Sequence, residues 1–386
     1  MRFPDGLSAE RFLSGHWQKQ PLFMPRALSR TGLELSGDEL AWLATLDDVE
    51  SRLIFTEGAD YRVLHGPFDE KTLRDLPDER WTLLVQDVEK HLPDFRALFS
   101  LVDFIPDWRV DDLMVSFAAP GGGVGPHRDN YDVFLCQGMC EGGGSRNWRL
   151  ASVDDAIAER EHDSLELLAP FDGVDAVTAS AGDVLYLPPG VPHWGVAIDN
   201  ATTYSIGMRA PTTGELLLAL DALGSENGDV IDSDFGSFYR DPDLQSDEAV
   251  PGQISRPTIR RVRHLLSGRT NAEAETLALA FGMVVTGLKD WLRPEPCDQP
   301  GADRAEPPVA VHGMARLAWY HGRDKGFVFA NGRYRQASGE ELSVFRDLCR
   351  KRAASGETWH FLRNDGARLA TWLLQVGALD PEASGP

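Results

Sequence analysis

With 386 residues, 42% of them hydrophobic and 25% charged, the chain has an ordinary globular composition and exceeds what one hydrophobic core usually supports, so two or three domains are expected. A formal net charge of −22 opposes any general affinity for phosphate backbones and favours a basic partner, which makes nucleic acid an unexpected ligand. Cys136, Cys140, Cys297 and Cys349 are too few and scattered for a disulfide framework, and with neither a signal peptide nor a long apolar run the chain is expected to be cytoplasmic, without membrane contact.

Taken in chain order, Ser8 is a candidate N-cap for a short helix with Glu10 in its first turn, running toward His16-Trp17-Gln18-Lys19. Between about residues 38 and 100, segments such as Asp38–Ala44 and Trp81–Val88 alternate with short strand-like pieces, including Ser51–Phe55, which reads as mixed α and β. From Asp111 to Arg209 the pattern becomes short runs of period two, separated by Gly, Pro, Asn and Asp, the signature of a sandwich or jelly roll.

After Pro211 the chain turns helical, over Thr213–Leu223, Ile259–Leu266 and Ala272–Leu292. Pro294–Pro308 reads as a linker. Beyond it, Gly326–Ala330 ends at the hairpin signal Asn331-Gly332, and helices are expected around Gly339–Ala354 and Gly366–Gln375. Helices plus a hairpin point to a winged-helix-like module. Its twelve Lys and Arg against ten Asp and Glu over 301–386 form no basic stripe, which favours packing or protein contact over nucleic acid. The expected organisation is thus an α+β chain with domains at 1–211, 212–293 and 301–386.

The chemistry concentrates in Ser116–Phe134, where a glycine-rich run leads to His127 and Asp129, two apart at the start of a strand and so on one face. About 66 residues later, Gly182-Asp-Val-Leu-Tyr-Leu-Pro-Pro-Gly-Val-Pro presents His193 after a rigid proline turn. Two imidazoles and one carboxylate form the facial triad of non-haem Fe(II), which leaves positions open for a co-substrate and O2. Cys136 and Cys140, with no second pair nearby, do not make a zinc site.

Period-two spacing extends the site, because Asp112, Met114, Ser116 and Ala118 share one strand face and Tyr131 continues the His127 and Asp129 face. If that face lines a barrel, Asp112 is an acid in the pocket with Met114 and Tyr131 as its walls; the alternative is that Asp112 caps a turn after Trp108-Arg-Val. An iron-chelating dicarboxylate also needs a cation for its distal end. Arg146 is the first choice, with Arg149, of opposite parity, and Arg209 as competitors.

With these residues in hand, the chain resembles the bacterial JmjC-type ribosomal oxygenases, which hydroxylate an arginine of a large-subunit ribosomal protein. The resemblance rests on His16-Trp-Gln-Lys-Gln-Pro-Leu, His65-Gly-Pro-Phe, Trp81-Thr-Leu-Leu-Val-Gln, Asp107-Trp-Arg-Val-Asp-Asp-Leu-Met, Pro120–Phe134 and Tyr204-Ser-Ile-Gly-Met-Arg-Ala-Pro, and covers residues 1 to about 212. It implies a double-stranded β-helix of the cupin/JmjC type, iron on His127, Asp129 and His193, and 2-oxoglutarate on Arg146. It also implies a helical dimerisation segment, hence a homodimer, and a C-terminal winged helix. The loop Met139–Ser145 is longer than the family's usual turn, which leaves the arginine register open by one or two residues. Where the family often carries a hydroxyl this chain has Ala118, so Ser116 or Ser205 is expected to take over that contact. A cationic arginine substrate on a basic ribosomal protein accounts for an acid at Asp112. Rival readings are the same oxygenase on a histidyl or lysyl residue of another basic protein, a small-molecule enzyme, or a non-catalytic metal-binding scaffold.

Overall fold

The computed structural model describes every residue except 5, 29–32, 139–143, 174, 225–235, 293, 295–308, 355 and 385–386. The expected linker therefore falls almost wholly outside the described residues, as do Cys140, Cys297 and most of the loop before Arg146. The chain divides into two units, one comprising Met1–Val102, Val110–Met208 and Pro242–Leu244, the other Asp103–Arg109, Arg209–Asp241 and Gln245–Pro386.

The strands of the first unit are β1 (Leu22–Met24), β2 (Ser51–Glu57), β3 (Asp60–His65), β4 (Trp81–Val85), β5 (Val110–Ala118), β6 (Val133–Gln137), β7 (Ser145–Leu150), β8 (Glu159–Arg160), β9 (Leu167–Leu168), β10 (Asp175–Ser180), β11 (Asp183–Leu187), β12 (His193–Ala197) and β13 (Ala201–Met208). One sheet runs β1-β11-β6-β13-β5-β4-β2-β3 and a second runs β10-β7-β12, with antiparallel pairing throughout. Together they form the double-stranded β-helix expected from the sequence. Val133, Leu135, Leu185 and Leu187 of the larger sheet pack against Trp148, Leu150 and Ala179 of the smaller, and Ala118 and Ala201 meet Ala197 in the same interior.

β6 and β11 are buried at every position because both faces are covered. Their odd-numbered residues fill the barrel, while Phe134 and Tyr186 point outward onto the helix α1 (Ala9–Gly15). The Phe12 ring lies 5.7 Å from Phe134 and 4.8 Å from Tyr186, and Trp17 stacks on Tyr186 at 6.0 Å. Ser8 caps α1 as expected, accepting the Arg11 N–H. Just beyond the helix, the Tyr186 hydroxyl donates to Asp132 (2.6 Å) and accepts the Gln18 N–H (2.8 Å), while the Gln18 amide donates to the same carboxyl (2.7 Å). The motif His16-Trp17-Gln18 thus clamps the N-terminal segment to the strands that lead from the site.

Three short helices follow: α2 (Gly37–Leu43), with a Ser36/Glu39 capping box, α3 (Glu70–Arg74) and α4 (Val88–His91). Trp81–Val85, which the sequence set apart from the strand-like pieces, is a strand between β2 and β5. Its run Thr82–Val85 is buried throughout, and a short continuous apolar run carries no periodicity to separate strand from helix.

The second unit contains α5 (Thr213–Ala222), α6 (Arg256–Leu265), α7 (Ala274–Thr286), β14 (Val309–Val311), β15 (Leu317–His321), β16 (Gly326–Ala330), β17 (Arg333–Ala337), α8 (Gly339–Lys351), β18 (Ala353–Ala354), α9 (Gly356–Arg363), α10 (Ala367–Gln375) and β19 (Leu379–Ser384). In the meander β15-β16-β17, the first two strands are buried on both faces. Ala318, Tyr320, Phe327 and Phe329 pack with Leu216, Leu220 and Phe281, whereas Leu317, Trp319, Val328 and Ala330 pack with Phe345, Leu348 and Leu373. The Asn331-Gly332 turn forms as expected, both residues at positive φ (49° and 76°). α7 ends at Thr286, six residues before the expected Leu292. Among the described residues, no helix is long and apolar enough to cross a membrane.

Replacing Tyr186 by Phe removes two hydrogen bonds and leaves the buried Asp132 carboxyl short of a donor. The expected cost is about 2–3 kcal/mol of unfolding free energy, to be read from urea denaturation.

Candidate metal centre and cofactor pocket

His127 and His193 form an isolated antiparallel bridge in which each backbone N–H donates to the other's carbonyl, at 3.0 and 2.9 Å. His127 and Asp129 therefore sit on this bridge and the loop after it; β6 begins only at Val133, so the expectation that they open a strand is corrected. Each Nδ1 lies 3.0 Å from the carbonyl two residues earlier, Gly125 for His127 and Val191 for His193. An Nδ1–H donating there leaves both Nε2 lone pairs aimed at a common point.

Asp129 completes that point. Its Oδ1 is 3.9 Å from His127 Nε2 and its Oδ2 is 3.6 Å from His193 Nε2, and the candidate ligand atoms of all three residues lie within 4.8 Å of one another. Burial, reinforced by His127, pushes the His193 pKa down to about 4 against the opposing pull of Asp129, so the imidazole is neutral at pH 7. Two imidazoles and one carboxylate suit a divalent first-row metal, and the nitrogen and oxygen donors match Fe(II).

β7 supplies the cation. Arg146, Trp148 and Leu150 alternate inward along it while Ser145, Asn147 and Arg149 do not. Arg146 is 3% exposed, its Nε and Nη2 have no hydrogen-bond partner among the described residues, and it lies over the Trp148 ring at 5.6 Å. Trp148 in turn is 6.0 Å from the His193 ring. Desolvation lowers the Arg146 pKa to about 10, which still leaves a cation at pH 7. A buried, unpaired guanidinium is costly, so this position calls for an anion, and a dicarboxylate chelating the metal at one end fits that demand. The competitors are engaged elsewhere: Arg149 stacks over Trp194 at 4.9 Å on the outward face, and Arg209 donates to the Val284 carbonyl within the second unit.

The register β13 to β5 pairs Ser205 with Met114, Thr203 with Ser116 and Gly207 with Asp112, and β13 to β6 pairs Ser205 with Leu135, so these residues share the interior face. Ser116 and Ser205 are both buried there. Asp112 lies within β5 rather than at a turn, and Met114 packs with Ile54, Tyr61, Leu84 and Leu167. Tyr131 is 41% exposed and its hydroxyl reaches Asp129; the charge on Asp129, burial and the charge on Asp112 all raise its pKa, so it stays protonated.

Two residues of this wall were not singled out by the sequence. Arg52 faces inward from β2, level with Leu84 and Ser116, and Gln86 follows β4 on the same side. The Gln86 amide lies between Asp112 Oδ2 and Arg52 Nη2; because a guanidinium has only donors and a carboxylate only acceptors, its nitrogen belongs toward Asp112 (2.7 Å) and its oxygen toward Arg52 (3.1 Å). A charged residue inside an apolar strand was the available signal at Arg52; for Gln86 there was none.

The model of the JmjC domain matches residues 97–216. The ribosomal protein uL16 3-hydroxylase of Escherichia coli K12 is 37% identical over 294 residues, 75% of each chain, and a probable ribosomal oxygenase of Haemophilus influenzae is 30% identical over 377 residues, 93% of this chain and 89% of that one. The X-ray structure of E. coli ycfD superposes with a TM-score of 0.74 at 31% identity, covering 98% of this chain and all of that one. The same ribosomal oxygenase in complex with cobalt and 2-oxoglutarate superposes at 0.70 with 31% identity, covering 97% and 98%.

Gly125 sits at φ 85°, and a Cβ there would lie 2.6 Å from Leu167 and 2.9 Å from the Tyr61 ring. Gly125→Ala must displace the carbonyl that orients His127. The expected result is Mn(II) affinity weaker by about 10–100-fold, measured by titration calorimetry.

Proposed function

The chain belongs to the JmjC-domain ribosomal oxygenases, and from that premise we propose that it is an Fe(II)- and 2-oxoglutarate-dependent hydroxylase of an arginine side chain on a large-subunit ribosomal protein, uL16 in the relative from E. coli. The observation that carries this reading is the pairing, inside one barrel, of a His127–Asp129–His193 cluster with the unpartnered buried guanidinium of Arg146.

In this reading His127, Asp129 and His193 hold the metal through two Nε2 atoms and one carboxylate. Arg146 receives the distal carboxylate of 2-oxoglutarate as a charge-assisted pair, with Ser116 and Ser205 as hydroxyl donors nearby. When bound, the metal supplies the oxidising chemistry, in which 2-oxoglutarate is converted to succinate and CO2 and one atom of O2 enters a substrate C–H bond. Asp112 receives the substrate guanidinium, and Met114 and the Tyr131 ring flank its aliphatic stem. The apolar barrel around Trp148, Leu135 and Leu185 excludes water from the reacting centre.

The acidic chain steers a basic ribosomal protein toward the site, and such a substrate supports a cytoplasmic place of action. We assign residues 1–211 to catalysis, 212–293 to a helical dimerisation segment and 301–386 to a winged-helix-like module. A hydrophobic cluster whose buried members all lie between Val309 and Leu379 supports the last module, and the exposed Leu218 of α5 supports a homodimer.

The test is incubation of unmodified recombinant uL16 with the Fe(II)-loaded protein, 2-oxoglutarate and O2. Succinate formation and a gain of one oxygen on an arginine are expected, and both should vanish in His127→Ala. Succinate without a mass gain would place the substrate elsewhere, on a histidyl or lysyl residue of another protein; metal binding with neither product would leave a scaffold. Arg146→Met should raise the KM for 2-oxoglutarate by about 10–100-fold, the equivalent of one lost charge-assisted pair.

A further inference from the structure

The inner face of the smaller sheet is built in three rows, and Trp148 fills the middle one. The β12–β7 register pairs His193 with Leu150, Gly195 with Trp148 and Ala197 with Arg146. Same-face neighbours on a strand stand roughly 6–7 Å apart, which puts the indole between His193 and the Arg146 guanidinium. The ring distances agree, 6.0 Å from Trp148 to His193 and 5.6 Å from Trp148 to Arg146 Cζ. A Cβ on residue 195 would stand 2.5–2.8 Å from three atoms of the six-membered ring, so that ring covers Gly195 and depends on the lack of a side chain there. β12 is not free to retreat, because the glycine-rich loop holds its other edge. Gly121 N–H donates to the Ala197 carbonyl at 2.8 Å, Ala197 N–H donates to the Gly122 carbonyl at 2.9 Å, and a Cβ on Gly123 would collide with the Gly195 carbonyl. In the row of Arg146 the neighbours are small, with Ala118, Ala197 and Ala201 meeting in one cluster. The indole is therefore the bulkiest group on this face between His193 and Arg146.

We propose that Trp148 is the residue that sets the chain length of the co-substrate, limiting the barrel to a dicarboxylate as long as 2-oxoglutarate. The inference rests on the reading of Arg146 as the anchor for the distal carboxylate. A 2-oxo acid one methylene longer has both ends committed, one at the His127–Asp129–His193 cluster and the other at Arg146. Its extra carbon must bow the chain sideways, and over β12 the indole closes that side. The contact of the same ring with Arg146 adds a second effect, since a cation over an aromatic face is held in place by the ring quadrupole. One side chain thus limits the space along the co-substrate and keeps the guanidinium at its far end.

The experiment is titration calorimetry of the Mn(II)-loaded protein with 2-oxoglutarate and with 2-oxoadipate, in the absence of uL16, so that binding is read without turnover. The wild type is expected to prefer 2-oxoglutarate by about tenfold or more, the discrimination that one methylene brings in a fitted pocket, and a preference under about twofold overturns the proposal without any variant. Trp148→Phe withdraws the six-membered ring from over Gly195. It should tighten 2-oxoadipate about tenfold and weaken 2-oxoglutarate by less than about threefold, with the Mn(II) affinity kept. Trp148→Leu takes its place if Trp148→Phe fails to fold by thermal melting. Equal losses for the two acids, or an unchanged ratio between them, overturn the proposal, because a packing role moves both alike. Arg146→Met separates the two levels. Weaker binding of both acids in Arg146→Met beside an unchanged ratio in Trp148→Phe leaves the anchor standing and removes the role of Trp148. Wild-type affinities in Arg146→Met remove the anchor and the inference with it.

Discussion

The backbone bridge between His127 and His193 is the constraint on which the site depends. It joins the end of the glycine-rich loop to the first residue of β12, two segments 66 positions apart, through a reciprocal pair of hydrogen bonds. Each imidazole then repeats the same local device, an Nδ1 held by the carbonyl two residues earlier. Tautomer, ring orientation and spacing follow from backbone geometry alone, with little left to rotamer freedom. Asp129 needs only to fold back from the following loop to complete the set.

Charge balance explains the rest of the interior. A buried cation without a partner is unfavourable, yet Arg146 sits with Nε and Nη2 unsatisfied among the described residues. An anion beside the guanidinium would offset that cost, which is the role proposed for the distal carboxylate of 2-oxoglutarate. In the proposed substrate pocket the sign is reversed: Asp112 is the acid, and Gln86 stands between it and Arg52. The low local dielectric strengthens both arrangements and penalises a wrong charge in either place.

Strand parity was the most productive local rule. It placed Asp112, Met114 and Ser116 on one interior face and separated Arg146 from Arg149, because in β7 successive side chains alternate between the packed barrel and its outer surface. The rule is silent where both faces are covered. Thr82–Val85 is buried at every position, so neither period appears and β4 was not recognised as a strand. α7 stops at Thr286 although apolar residues continue, since composition does not mark where packing partners end. Gln86 lies one residue past its strand, where no period applies.

The sequence by itself determined the chemistry of the metal centre and the class of fold, because those depend on residue types that few other roles require in combination: a glycine-rich approach to H-x-D, a proline turn before His193, and period-two runs between turns. Also legible was the Asn331-Gly332 hairpin, whose two positive φ angles that dipeptide accommodates at little cost. Only the tertiary structure decided which arginine is buried on the inner face of the barrel, which residues surround Asp112, and that His127 belongs to a bridge rather than a strand. Those answers rest on pairings between segments distant along the chain, β2 with β4, β5 with β13 and His127 with His193, whose register is set by the closing of the barrel and leaves no local trace in the sequence.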